Sequence, residues 1–195
     1  MVRDLPWQTY VEDVQALSEG VAEPGFDHEA HVSALEALSA RLDLADPSLV
    51  STFEDLSRDQ EAPYLTHTVA HTARCRVILV SLVAEGHVGL HEHPDQGGFI
   101  LVCRGHVEID AFDLLPGPPI RLRRAYAVVG RAGDAATLTP KRANVHRLFC
   151  PEPTWLVDVF TPPLSEEARA SCRAFGLDEE VAPGLFDARI TPTRE

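Results

Sequence analysis

The sequence predicts a mainly β chain in which helices come first, a barrel or sandwich of short strands follows, and one short helix comes last. Two observations carry this. Near residue 63 the apolar residues stop recurring at helical spacing. From about Arg74, short β-rich runs alternate with Gly, Pro and Asp punctuation, the texture of an all-β sandwich or barrel.

Taking the elements in order, the stretch from Trp7 to Arg58 is expected to be helical. Val32, Leu35, Leu38 and Leu42 share one face of a helix, and Asp46 with Pro47 forms a cap and first turn ahead of Val50, Phe53 and Leu56. Glu61-Ala62-Pro63 breaks the pattern. The runs CRVILVSLV, GGFILVCRG, HVEIDAFDLL, IRLRRAYAVV, VHRLFC and TWLVDVF then read as strands. In the third, Val107, Ile109, Ala111 and Phe112 compete for inside positions, while Glu108, Asp110 and Asp113 suit solvent. After Pro162-Pro163, Ser165 is placed to cap a last helix with Glu166 and Glu167 in its first turn and Gly176 past its end. The tail beyond Val181 is expected to be irregular. The 195 residues suit one domain, with a helical part at 1–62, a barrel at 63–164, and a helix and tail at 165–195.

A net charge of -13 argues against nucleic acid and anionic membranes as partners. Protein partners are not indicated. No window approaches the ~20 apolar residues of a membrane span. The N-terminus, MVRDLPWQTYVEDVQ, carries acids where a signal peptide needs an apolar run. Cys75, Cys103, Cys150 and Cys172 are spread out with no CxxC pair, so they are read as reduced. The expectation is a soluble, cytoplasmic protein.

The feature that points to chemistry is GLHEHPDQGGFILVCRG. His91 and His93 are one residue apart, so on a strand both imidazoles face the same side. His146, in ANVHRLF at a strand start, is the natural third donor. Three neutral imidazoles on one side of a metal leave positions open for substrate and dioxygen.

The His-x-His pair followed by Gly105 resembles the first motif of the cupins, which implies a double-stranded β-helix, or jelly-roll, barrel. Most cupins add a Glu ligand three to five residues after the second His. Here those positions are Gln96, Gly97 and Gly98, and thiol dioxygenases are the cupins that use three histidines without a carboxylate. LHEHPDQGGFILVCRGHVEIDAFDLL and LTPKRANVHRLFCPEPTWLVDVFTPP resemble, in order, two segments of the 2-aminoethanethiol dioxygenase and plant cysteine oxidase family. That resemblance implies an Fe(II) enzyme with His91, His93 and His146 as ligands, which uses O2 to oxidise a small thiol to its sulfinate. The thiol would be of the cysteamine, cysteine or N-terminal cysteine type.

The helical start and Pro63-Tyr64-Leu65-Thr66-His67 are also similar to the related cysteine dioxygenases. That family's substrate-gripping Arg would fall near Thr66, its His at Asp158, its Tyr at Phe160 and its cross-linking Cys at Gly98, and none is present. The first family's Asp is retained at Asp158, whereas its Tyr after Pro-Pro is Leu164. A carboxylate inside the apolar strand WLVDVF is costly unless paired, which makes Asp158 the candidate catalytic residue, with a substrate amine, or a hydrogen-bond network around one, as its partner. Two other readings share the scaffold: a cupin acting on a carbon substrate as dioxygenase or isomerase, and a non-enzymatic metal- or ligand-binding cupin. His106 and Glu108 read as solvated, His67 and His71 as structural, His87 as exposed and Cys103 as core; Tyr64 is a further candidate for the site from the N-terminal side.

Overall fold

Two aspartates start two of the three helices. In the computed structural model, which describes residues 3–21, 23–165, 168 and 172–192, the helices are α1 (Trp7–Leu17), α2 (His28–Ser39) and α3 (Pro47–Ser57). Asp27 accepts the N–H groups of Glu29 and Ala30 at the start of α2. Asp46 does the same for Ser48 and Leu49 at α3, where Pro47 occupies the first turn as expected. Its second oxygen accepts the Trp7 N–H at 3.0 Å, which joins the start of α1 to the start of α3. Leu42, expected on α2, lies beyond its end and pairs with Leu5 in an isolated bridge. Among the described residues no helix is long and apolar enough to cross a membrane.

The strands are β1 (Tyr64–His71), β2 (Arg76–Leu82), β3 (Gly86–Glu92), β4 (Gly97–Arg104), β5 (His106–Leu115), β6 (Arg121–Arg131), β7 (Ala135–Leu138), β8 (Val145–Cys150), β9 (Thr154–Thr161), β10 (Ala174–Ala182) and β11 (Leu185–Thr191). All strand pairs are antiparallel. One sheet runs β1-β2-β9-β4-β7 and the other β10-β11-β6-β5-β8-β3, whose ends meet.

Alternation along each strand divides the core in two. On the first sheet Val77, Leu79, Phe99, Leu101, Val157 and Val159 face the helices and pack with Tyr10, Leu35 and Phe53. The residues between them, among them Ile78, Ile100, Leu156 and Phe160, face the second sheet and meet Ile109, Ala111 and Leu148 there. Each such buried Leu, Ile, Val or Phe contributes ~1.5–3 kcal/mol relative to exposure. Two glycines permit the close approaches. A Cβ on Gly98 would collide with the carbonyl oxygen of Val159 on β9, so no cysteine fits there. Gly105 has φ +75° and turns β4 into β5, with the Pro153 oxygen 2.6 Å from where a Cβ would stand.

The C-terminal part differs from expectation. Ser165 accepts the Ala168 N–H at 3.1 Å, as a cap would, and residues 166, 167 and 169–171 of the expected helix lie outside the described residues. Its expected last turn is not helical: Cys172 and Arg173 are irregular, and Ala174 and Phe175 already belong to β10. Gly176, expected past a helix end, sits within β10, and the stretch expected to be irregular forms a β10–β11 hairpin. The physical reason is an apolar outer face on the second sheet. Leu90, Phe112, Leu122 and Val145 point away from the first sheet and are covered by Phe175 and Phe186 as the second sheet closes on itself. The competition between Ala111 and Phe112 for the inside is thus resolved by burying both, on opposite faces.

Cys75, Cys103 and Cys150 are buried. Burial pushes the Cys103 thiol up to about 12 and the Cys150 thiol up to about 11, and raises that of Cys75.

Candidate metal centre

The three histidines come from adjacent strands of the second sheet. His91 on β3 is the cross-strand partner of His146 on β8, and His146 is also the partner of Ala111 on β5, whose side chain lies in the barrel core. One extra residue in β3 between Val88 and His91 forms a bulge. It allows Val88 and His91 both to face inward while Leu90 faces out, a common way of re-aiming a side chain at a site. His93 lies just past β3, held by its N–H donating to Asn144 O at 2.7 Å.

The imidazoles are oriented by what their other nitrogens do. His91 Nδ1 meets the Gly89 carbonyl at 2.7 Å, so this nitrogen carries the proton. His93 Nδ1 meets Gln96 Oε1 at 3.1 Å, and the amide is turned that way because its Nε2 donates to Pro162 O at 2.8 Å. Both Nε2 atoms are therefore bare acceptors, and they stand 2.9 Å apart, with His146 Nε2 3.3 Å from that of His93. Nitrogen lone pairs that close repel unless a cation lies among them. Ligands at right angles with metal–nitrogen bonds of ~2.1 Å would sit ~3.0 Å from one another, so the donor set fits a first-row metal ion. Among the described residues it is the one cluster of this kind, with the donor atoms all within 4.8 Å.

Burial keeps the site neutral and ready to bind. It lowers the basicity of His91, brings His93 down to about 3 with help from the neighbouring His91, and takes His146 well below the ordinary value. Phe160 stacks on His93 with ring centres 4.8 Å apart and planes 14° off parallel, so the first sheet supplies an apolar wall against the ligands.

Asp158 lies two residues before Phe160 on the same, inward face of β9, between Ile78 of β2 and Ile100 of β4. Its Oδ1 is shut off from solvent and has no hydrogen-bond partner among the described residues. Burial raises its pKa to about 8, against the pull of the Arg76 charge and of the Val159 N–H. Burial thus favours the neutral form of this carboxyl.

The remaining candidates stand apart from the cluster. His106 Nδ1 pairs with Glu152 at 2.7 Å, and Glu108 is exposed. His67 and His71 lie on β1 and are exposed, as is His87 on β3. Tyr64 opens β1 and is also exposed. Cys103 is in the helix-side core. Gln96 was not singled out from sequence as an orienting group. The signal was its place at the position where other cupins carry a ligand carboxylate.

The PCO_ADO family model matches residues 35–181. No curated protein sequence matches the chain. Among solved structures, KdgF from Halomonas sp. is 20% identical over 54% of this chain and 86% of its own, with a TM-score of 0.43. An uncharacterized conserved protein with a double-stranded β-helix domain from Klebsiella pneumoniae is 20% identical over 63% and 92%, with a TM-score of 0.46. An RmlC-like cupin from Shewanella frigidimarina is 16% identical over 56% and 85%, with a TM-score of 0.44.

Proposed function

The chain belongs to the plant cysteine oxidase and cysteamine dioxygenase family, and we propose that it is a non-haem Fe(II) thiol dioxygenase with His91, His93 and His146 as the iron ligands. The observation that supports this reading best is the convergence of three Nε2 atoms while the Nδ1 atoms of His91 and His93 are spent on Gly89 and Gln96. Iron(II) held there would supply a Lewis acid for the thiol and the redox chemistry that dioxygen needs.

The chain's own part is to shape and dry the cavity. Gln96 fixes the ring of His93 through a second hydrogen bond, the usual way in which a neighbour sets a ligand's tautomer. Phe160 and Ile100 line the facing wall and keep water out. Asp158 would hold the ammonium of an amino-thiol such as cysteamine or an N-terminal cysteine. The neutral amine of the substrate would take the carboxyl proton, leaving an ammonium–carboxylate pair, because an opposite charge at close range lowers the pKa that burial has raised. In the net reaction R–SH and O2 become R–SO2H, with both oxygen atoms ending on sulfur.

The test is anaerobic reconstitution with Fe(II), then O2 uptake against a panel of thiols with and without an amine. Uptake of one O2 per sulfinate formed, fastest with amino-thiols, is the expected result. Uptake with carbon substrates alone would assign the site to a different dioxygenase, and iron binding without uptake on any substrate would leave a ligand-binding protein.

A further inference from the structure

Glu92 is the residue between the two neighbouring histidines, and nothing above uses it. It is buried and faces away from the barrel interior, where one residue satisfies it. Arg173 donates its backbone N–H to Oε1 at 2.9 Å, its Nε to the same oxygen at 2.9 Å, and its Nη2 to Oε2 at 2.6 Å. In return the Glu92 N–H donates to Arg173 O at 3.1 Å. The next residue, Ala174, is the cross-strand partner of His91, and it is the one position at which β10 pairs with β3. The guanidinium also lies over the Phe175 ring at 5.5 Å, above the small core that the hairpin covers. On its other edge the hairpin pairs with β6 through Leu185, Phe186 and Asp187. Among the described residues, the hydrogen bonds and ion pair that fasten the hairpin to the ligand strand fall at residues 91 and 92, beside the packing of Phe175 on Leu90.

We propose that the Glu92–Arg173 clasp is a positioning device for the metal site, so that docking of the hairpin and metal binding are coupled. Along a strand, a side chain fixed on the outer face forces its neighbours to the inner one. Holding Glu92 outward with a forked pair therefore holds His91 and His93 inward. A charged fork of this kind is among the stronger hydrogen-bonded pairs, and removing one partner leaves a buried charge unmatched. If the metal binds the docked form, it must by linkage hold the hairpin down, and undocking must weaken the metal. The inference needs only that the three histidines bind metal, whatever substrate is oxidised.

The experiment uses Co(II) as the probe, titrated into the full chain by visible absorption, with hydrogen exchange of amides 174–191 followed with and without it. In the wild type, Co(II) is expected to slow exchange across the hairpin. Arg173→Met keeps the apolar stem over Phe175 but loses the fork, and should raise the Co(II) dissociation constant ~10–100-fold, the usual cost of losing a ligand's supporting partner. It should also speed hairpin exchange and abolish the metal's protection of it. Arg173→Lys should recover part of both. Arg121→Met, which breaks the Arg121–Asp187 pair at the far edge of the same hairpin, should cost far less affinity. The inference is overturned if Arg173→Met binds Co(II) within about twofold of wild type, if Co(II) leaves hairpin exchange unchanged, or if Arg121→Met costs as much as Arg173→Met. Thiol turnover is not read, so failure of the dioxygenase assignment would not disturb this result; a wild type that binds no Co(II) would end both.

Discussion

The two walls of the barrel interior are built and backed differently. One wall, β3, β8 and β5, carries the three histidines, and at the ligand end its outer face is covered by the β10–β11 hairpin over a small apolar patch. The opposite wall, β2, β9 and β4, carries Asp158 and Phe160 and is backed by α1, α2 and α3 over a core that includes Tyr10, Leu35, Leu49 and Phe53, each essentially sealed from solvent. The metal donors thus sit on the lightly backed wall, and the group assigned to substrate sits on the heavily backed one. Metal affinity should accordingly respond to changes on one wall, and substrate preference or overall stability to changes on the other.

The largest expected effect is on the ligand wall. His146→Ala should reduce iron content sharply and abolish O2 consumption, with circular dichroism unchanged, because the barrel is held by its apolar strands. Full iron occupancy in that variant would break the assignment. Neither Glu92, committed to Arg173, nor His106, paired with Glu152 on the surface, is placed to replace it.

On the opposite wall, Asp158→Asn keeps a neutral group of the same shape but cannot ionise against an ammonium. Turnover of an amino-thiol should fall by a factor equivalent to on the order of 3–5 kcal/mol, whereas a thiol without an amine should be affected far less and iron content should hold. Equal losses for both thiols would remove amine recognition and leave the metal site standing.

The smallest effect on chemistry, and the sharpest test of the backing, comes from two phenylalanines. Phe53→Ala removes a ring stacked on Trp155 at 4.9 Å and should cost ~3–5 kcal/mol in denaturant unfolding with metal affinity intact. Phe186→Ala, in the hairpin itself, should cost less stability and yet weaken metal binding. If both variants lowered stability and affinity in proportion, the two walls would form one cooperative unit and the contrast would dissolve.

Much of this arrangement was legible in the sequence. VHRLFC and TWLVDVF fold as β8 and β9, and alternation along the second puts Leu156, Asp158 and Phe160 on one face, which the fold turns inward. Short apolar runs with turn residues at their ends leave little freedom in register, since a slip of one residue would turn the apolar set out to water. The C-terminal hairpin was hidden because each of its strands alone is half polar. FGLDEEVA and LFDARIT make sense only against Leu90, Phe112, Leu122 and Val145, which lie far away in the chain. The roles of Gln96 and Glu92 were hidden for the same reason. A glutamine and a glutamate beside histidines show no partner until the fold brings Pro162 and Arg173 from distant parts of the chain to hold them.

The buried cysteines acquire a meaning from the chemistry assigned to the cavity. A catalyst that adds oxygen to sulfur carries, in its own chain, the functional group it attacks. Nucleophilic and oxidisable sulfur is thiolate sulfur. With Cys103 held up to about 12 and Cys150 to about 11 by burial, these side chains are held toward the protonated thiol. Cys103 lies on the helix side of its sheet, behind the wall that faces the histidines. The fold packs both thiols as ordinary apolar filler, Cys103 on the helix side and Cys150 between the sheets.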